Sequence, residues 1–292
     1  MTKNEKQGQF YKKIRKIAKI IKYFPTRVYN NFFSNVKKNP YPKESYQNPG
    51  FQLWGHINFK KTLNSKTGKL KIPKNINHIK IDVGTAMNAP NSAIWLDKLP
   101  DRIVFGFEPN IKSVQELLSG KNRKRGNSYR YLNLNHINKR FFIFNLAIDD
   151  CPPQLKVFYS TSGDGGNSSL HKPYNFKIEE KTYVPCIRLS DFLSLIPWKR
   201  FNYIEHLKVD AQGNDLRIIR SAGDYLKKIV FISAECTAEG YEYSHKEEEL
   251  DQFMKDNNFE IIPGTDKGGN KTYINKEYKD LINTLDYSTE DK

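Results

Sequence analysis

The chain has 292 residues, of which 38% are hydrophobic and 13% aromatic, enough for a sizeable core and incompatible with wholesale disorder. Charged residues make up 27%, and no run of roughly eighteen apolar residues occurs, so no transmembrane helix is expected. The net charge is +16, and residues 1–43 carry +11 of it, with Glu5 as the sole acidic residue there, so the basic character belongs to an N-terminal appendage.

Met1–Gln9 is polar and has no apolar h-region, so no secretory leader is expected. Cys151, Cys186 and Cys236 are too few and too far apart for a disulfide scaffold or a paired-cysteine metal knuckle, which makes a reducing, cytoplasmic compartment the expectation. Phe10, Ile14, Ile17, Ile21 and Phe24 recur at steps of 4, 3, 4 and 3, one apolar stripe on a helix over residues 9–24. Lys12, Lys13, Arg15, Lys16, Lys19 and Lys22 surround the stripe, and Pro25 ends the helix. This is the composition of a helix lying in an anionic membrane surface, although the same stripe could dock on the body of the chain. Prolines 40, 42 and 49 then mark an irregular tether, so residues 1–50 form an appendage and 51–292 the main domain.

From His78 onward short apolar runs alternate with helical patterns. His78–Gly84 reads as a strand, Pro90–Leu99 as a helix with Asn91 or Ser92 available to cap it, and Arg102–Glu108 as a strand. Ile111–Ser119 reads as a helix closed by Gly120, and Phe141–Ile148 as a third strand. The basic stretch 120–140 reads as a surface insertion. Leu155–Thr161 and Tyr183–Ile187 are shorter strands flanking the Gly/Ser-rich Ser160–Ser169. Leu207–Asp210 begins a core strand, followed by a helix over Asp215–Ala222 and a strand over Lys228–Glu235. A helix over His245–Asn257 and strands Phe259–Ile262 and Lys271–Ile274 complete the order. The alternation predicts an α/β fold, a mostly parallel sheet with helices on both faces.

In such a doubly wound sheet, ligands bind at the carboxyl ends of the strands. Here the strand ends carry Asp82 with Gly84, then Glu108, Asp149 with Asp150, Asp210 and Glu235. Gly84 permits a tight turn, and Glu108 follows it by 24 residues, near the spacing at which an acidic residue takes ribose hydroxyls. Carboxylates crowded at one rim call for a ligand, a metal or a proton-transfer role. His171 follows the Gly/Ser loop and could reach over an acceptor, whereas no histidine pair has ligand spacing.

The segments IDVGTAMNAPNSAIW, VFGFEPN, NLAIDD, VPCIRLSDFL, LKVDAQGNDLRIIRSAGDYL and VFISAE resemble the FkbM-type methyltransferase family over roughly residues 78–262. The resemblance implies a Rossmann-like class I methyltransferase with a mostly parallel seven-stranded doubly wound sheet. It also implies S-adenosylmethionine as cofactor and a hydroxyl of a sugar, glycan or other small compound as acceptor. Asp82 and Gly84, with Thr85, would line the methionine part of the cofactor. Glu108 would hold the ribose diol, and Ala147, Ile148 and Asp149 would lie beside the adenine. Asp210 would face the sulfonium and the acceptor. The family's first loop usually has several glycines, whereas Thr85-Ala86-Met87-Asn88-Ala89 stand here. A hydroxyl is a poor nucleophile, so Asp210 is the candidate general base, aided by Glu235; alternatively the two hold a divalent cation. Two further readings use the same residues differently. In one the basic tail and residues 121–130 grip RNA, although no RNA module accompanies them. In the other a non-catalytic Rossmann-like module sits on a membrane.

Overall fold

The computed structural model describes residues 63–289 except residue 65 and the segments 121–129, 163–165, 237–239 and 267–268. The basic helix expected over residues 9–24, its tether and most of the 121–130 cluster lie outside the described residues. None of the helices described is long and apolar enough to cross a membrane.

The central sheet has seven strands in the order β3-β2-β1-β7-β8-β10-β9. These are β1 (His78–Val83), β2 (Arg102–Phe107), β3 (Phe141–Phe144), β7 (Ile204–Val209), β8 (Ile229–Glu235), β9 (Phe259–Ile261) and β10 (Asn270–Asn275). β1 pairs in parallel with β2 and β7, β2 with β3, and β7 with β8; β10 alone runs against its neighbours. The expected seven-stranded, mostly parallel α/β sheet is therefore present.

Helices α1 (Pro90–Lys98) and α2 (Ile111–Ser119) cover one face, where Ala93, Trp95, Val114 and Leu117 pack with Val104, Phe141 and Ile143. Helices α3 (Leu189–Leu193), α4 (Asp215–Arg220) and α5 (Glu247–Asp256) cover the other, against Ile79, Ile81, Ile103, Phe105 and Phe107. Phe107 stacks on Phe144 at 5.1 Å and meets Phe192 edge-on at 4.9 Å, so aromatic packing fixes α3 to the sheet.

Two expectations need correction. The run Phe141–Ile148 is not one strand: β3 stops at Phe144, and Ala147–Ile148 forms β4 of a separate sheet ordered β4-β6-β5, with β5 (Gln154–Thr161) and β6 (Ile178–Ile187). Asn145 makes the break, donating its side-chain N–H groups to Glu108 O at 2.8 Å and Pro109 O at 3.0 Å. Neither Asn91 nor Ser92 caps α1. Ala89 is the N-cap and has no side-chain bond, while Ser92 lies within the helix and donates to Asp82 Oδ2 at 2.6 Å.

The central strands are also not uniformly apolar. On the α1 side β1 presents Lys80 and Asp82, and β7 presents His206 and Lys208, all buried. Lys80 Nζ lies 4.7 Å from the Trp95 ring centroid, and the His206 ring lies 5.1 Å from Trp95. Glu205 Oε1 lies 3.4 Å from Lys80 Nζ, and its Oε2 accepts from Arg102 Nε at 3.1 Å. Asp286, past β10, adds a carboxylate 3.3 Å from Lys80, and Trp95 Nε1 donates to Ser288 O at 2.7 Å. Such buried charges persist only when paired and hydrogen-bonded.

Candidate active site

The carboxyl ends of β1, β2, β7 and β8 converge on one rim. After β1 the chain turns at Gly84, whose φ is +77°, and its N–H donates to Phe107 O at 2.9 Å. A Cβ on Gly84 would lie 1.8 Å from the carbonyl oxygen of Asp210, so the two loops touch at the backbone and only glycine fits. Asp210 N in turn donates to Val83 O at 3.0 Å.

Lys208, buried in β7, ties this junction together. Its Nζ donates to Gly84 O at 2.9 Å and lies 3.6 Å from Asp82 Oδ1 and 3.3 Å from Asp210 Oδ2. Burial alone would lower the ammonium pKa, but Asp210 and Asp82 outweigh it and hold it above the usual lysine range. Asp82 is pushed the other way. Its burial raises the carboxyl despite Lys208 and Ser92, and its Oδ1 faces the Lys208 ammonium at 3.6 Å, beyond close hydrogen-bond distance.

The loop after Gly84 lacks further glycines, yet it bends as a glycine loop would. Ala86 and Ala89 adopt φ of +53° and +46°, a left-handed backbone that costs an L residue roughly 1–2 kcal/mol. That bend aims the Ala86 N–H at Glu108 Oε2, 2.9 Å away, while Asn110 N–H reaches Glu108 Oε1 at 2.8 Å. Glu108 is buried, and burial raises its carboxyl to about 7 against the two backbone donors that favour the anion. Thr85 is buried beside it, its γ-methyl carbon 2.8 Å from where a Cβ on Gly106 would sit.

Asp210 and Glu235 are joined through a residue that the sequence reading did not single out. Gln212 donates from Nε2 to Asp210 Oδ1 at 2.9 Å and to Glu235 Oε2 at 3.1 Å. The Tyr241 hydroxyl lies 2.8 Å from Gln212 Oε1. Its phenol is held well above the usual range by burial, with Glu235 and Asp210 adding to the effect, so it stays a neutral donor. Asp215 lies buried just beyond, accepting from Ala211 N at 3.3 Å, and burial together with Asp210 raises its carboxyl to about 7.

Asp82, Gly84, Thr85, Glu108, Asp210 and Glu235 thus form one constellation. The other expected residues are engaged with neighbouring elements. His171 Nε2 lies 3.0 Å from Asn214 Oδ1, and burial lowers its pKa, so it is a neutral ring engaged with a loop amide. Ala147 and Ile148 are buried in the second sheet, with Asn214 Nδ2 donating to Ile148 O at 3.2 Å. The Asp149 carboxylate is already paired with Arg217 Nε at 2.9 Å and with Lys156, which hold it below the usual range although burial pushes it up. It reads as a clamp between β4, β5 and α4.

Among the described residues, one set brings three ligand atoms within 4.8 Å of one another: Asp149, Cys151 and Cys186. The two cations already on Asp149 make that set a poor cation site. The cation considered for Asp210 and Glu235 meets amide N–H donors where oxygen lone pairs would be needed.

A family model described as the methyltransferase FkbM domain matches residues 87–261, beginning just after the β1 turn. No curated protein matches the chain. Among solved structures it is similar to the crystal structure of methyltransferase FkbM from Methylobacillus flagellatus KT, at 12% identity and a TM-score of 0.39, over 83% of this chain and 57% of that one. It is also similar to TrmK from M. capricolum in complex with the natural cofactor product S-adenosyl-homocysteine, at 11% identity and a TM-score of 0.31, over 68% of this chain and 62% of that one. The chain therefore spans less than two thirds of the length of either structure.

Proposed function

We infer, since this chain belongs to the FkbM methyltransferase family, that it is an S-adenosylmethionine-dependent O-methyltransferase acting on a hydroxyl of a sugar, glycan or glycoconjugate. The observation that carries the reading is the junction of Gly84 with Asp210, flanked by the buried Glu108 carboxylate. These residues fit the cofactor chemically. Glu108 has two acceptor oxygens for a ribose diol, and the Ala86 and Asn110 N–H groups already fix its plane. Asp82 contributes a buried carboxylate at the same rim, paired with Lys208 at 3.6 Å. Once Glu108 is ionised, it outnumbers Lys208 together with Asp210 and Glu235, and an anionic rim suits a substrate that carries a sulfonium.

The cofactor, when bound, supplies a methyl group on a positively charged sulfur. The chain's own contribution is to position, to exclude water and to move one proton. Holding both reactants in line is worth up to roughly 7–11 kcal/mol in well-oriented systems. In this reading Asp210, with Oδ2 near Lys208 and Oδ1 accepting from Gln212, accepts the hydroxyl proton. The same carboxylates repel phosphates, which favours a neutral hydroxyl compound over RNA as acceptor.

The test is transfer of a labelled methyl group from S-adenosylmethionine to a panel of glycans, with Asp210→Asn as control. Asn should keep S-adenosyl-homocysteine binding and lose on the order of 100-fold in transfer. Wild-type turnover in the Asn variant would remove Asp210 from the mechanism, and absence of cofactor binding by the wild type would remove the function.

We further propose that residues 9–24 tether the enzyme to an anionic, cytoplasm-facing membrane. The support is the five-residue apolar stripe flanked by six basic residues and no acidic one. Lipid-linked glycans are assembled at membranes, so such a tether would place the site beside its acceptor.

A further inference from the structure

The ends of β7 and β8 bring Asp210 and Glu235 to one side chain, and that side chain is neutral. Both hydrogens of the Gln212 amide are used, one on each carboxylate, at 2.9 Å and 3.1 Å. The reverse orientation would aim a carbonyl oxygen at two carboxylates, so the carboxylates themselves fix which end is nitrogen, and the Tyr241 hydroxyl lies 2.8 Å from the Gln212 Oε1 and 3.0 Å from Asn167 O. Gln212 also holds a φ of +53°, a left-handed backbone rarely adopted by L residues, and Ser169 Oγ secures it by donating to Gln212 O at 2.7 Å. The strained backbone aims the amide, and the two carboxylates hold it.

A divalent cation between two carboxylates needs converging oxygen lone pairs. Here two N–H groups occupy the point on which both carboxylates converge, and Lys208 stands 3.3 Å from the other oxygen of Asp210. We propose that Gln212 is a positioning residue whose amide stands in the place of a divalent cation, tying Asp210 and Glu235 into one unit and leaving Asp210 to take the acceptor proton without a metal. The last clause rests on the methyltransferase reading; the place of the amide does not.

Manganese(II) alone is the probe, followed by loss of its free-ion paramagnetic resonance signal on titration into the full-length protein. The wild type should show no saturable site that depends on Asp210. Gln212→Glu converts the donor into a third carboxylate and should bind manganese at least about tenfold tighter than the wild type. Adding Asp210→Asn to Gln212→Glu should abolish that gain. Thermal melting establishes that each variant is folded, and if Gln212→Glu is not, Gln212→Ala takes its place under the same criterion. The proposal is overturned if the wild type binds manganese in an Asp210-dependent way within tenfold of the variant, or if the folded variant gains nothing. Neither cofactor nor acceptor enters the titration, so S-adenosyl-homocysteine calorimetry on the same samples reports separately on the methyltransferase reading.

Discussion

Replacing Glu108 with Gln probes the cofactor site through its response to pH. Burial is the larger influence on this carboxyl, and the N–H groups of Asn110 and Ala86 offset only part of it, which leaves the group at about 7 rather than its ordinary 4.5. The sign follows directly. The fold favours the neutral acid, so the cofactor-free protein loses stability as pH rises from about 4.5 through about 7, by roughly 3 kcal/mol in all. A ribose diol donates two O–H groups and needs the anion to accept them. Binding below about pH 7 must therefore first remove a proton. The dissociation constant for S-adenosyl-homocysteine should weaken about tenfold per pH unit there, equivalent to about 1.4 kcal/mol. Calorimetry at about pH 8 and about pH 6 should show a loss of roughly tenfold in the wild type. Asp215, also raised to about 7, titrates in the same range but lies against Ala211 and Asp210 rather than the 85–89 loop. Glu108→Gln separates the two. It should cost about 1–3 kcal/mol of affinity at high pH and flatten the slope. Wild-type affinity that is level across this range would refute the reasoning, and a full slope in the Gln variant would transfer the effect to Asp215.

Gly84→Ala forces a Cβ to within 1.8 Å of the Asp210 carbonyl at a φ of +77°, so urea denaturation should show a loss of roughly 3 kcal/mol or more; a midpoint equal to the wild type would show that the loops part easily. Glu205→Gln removes one of the two carboxylates that serve each of Lys80 and Arg102 and should lower stability by about 3 kcal/mol by calorimetry, whereas a change below about 1 kcal/mol would mean that Asp286 and Asp101 satisfy them alone. For the membrane proposal, full-length protein should sediment with anionic but not neutral vesicles, less so at high salt, and a 26–292 truncation should not; if both stay in solution at low salt, the tether is wrong.

The sheet was legible because its alternation of apolar runs and helical segments is a property of local sequence. Where the run FFIFNLAI changes sheets was not legible. A single Asn145 decides it through bonds to the Glu108–Pro109 turn, and hydropathy does not register that contact. The polar inner face of β1 and β7 was missed for a related reason. Lys80 and Lys208 look like solvent-facing residues until Glu205 and Asp82 arrive from neighbouring strands to pair with them. At the site, carboxylates advertise themselves by residue type, so Asp82, Glu108, Asp210 and Glu235 could be named in advance. Gln212 and Tyr241 could not, because an amide and a phenol 29 positions apart acquire a role only through mutual geometry. Asp149 shows the converse. A carboxylate at a strand end can be engaged by Arg217 and Lys156, partners that its residue type does not announce. The loop after Gly84 shows that a missing glycine need not mean a missing bend, since Ala86 and Ala89 hold the left-handed turns themselves.

The pairing of Lys80 with Asp286 and of Trp95 with Ser288 spans 206 and 193 positions of the chain. It also sets the order in which a nascent chain can finish. At roughly 5–20 residues per second, about 200 intervening residues take on the order of 10–40 s to emerge, far longer than local helices and hairpins need to form. For that interval Lys80 and Trp95 lack their C-terminal partners Asp286 and Ser288, and contacts of such separation are slow to close even afterwards. An incomplete parallel sheet with a wholly apolar face would be a template for association with other chains during this wait. Lys80 and Asp82 interrupt that face at alternate positions, and His206 and Lys208 do the same when β7 joins. The charges that require partners in the finished protein act, before those partners arrive, as gatekeepers that keep the unfinished sheet soluble.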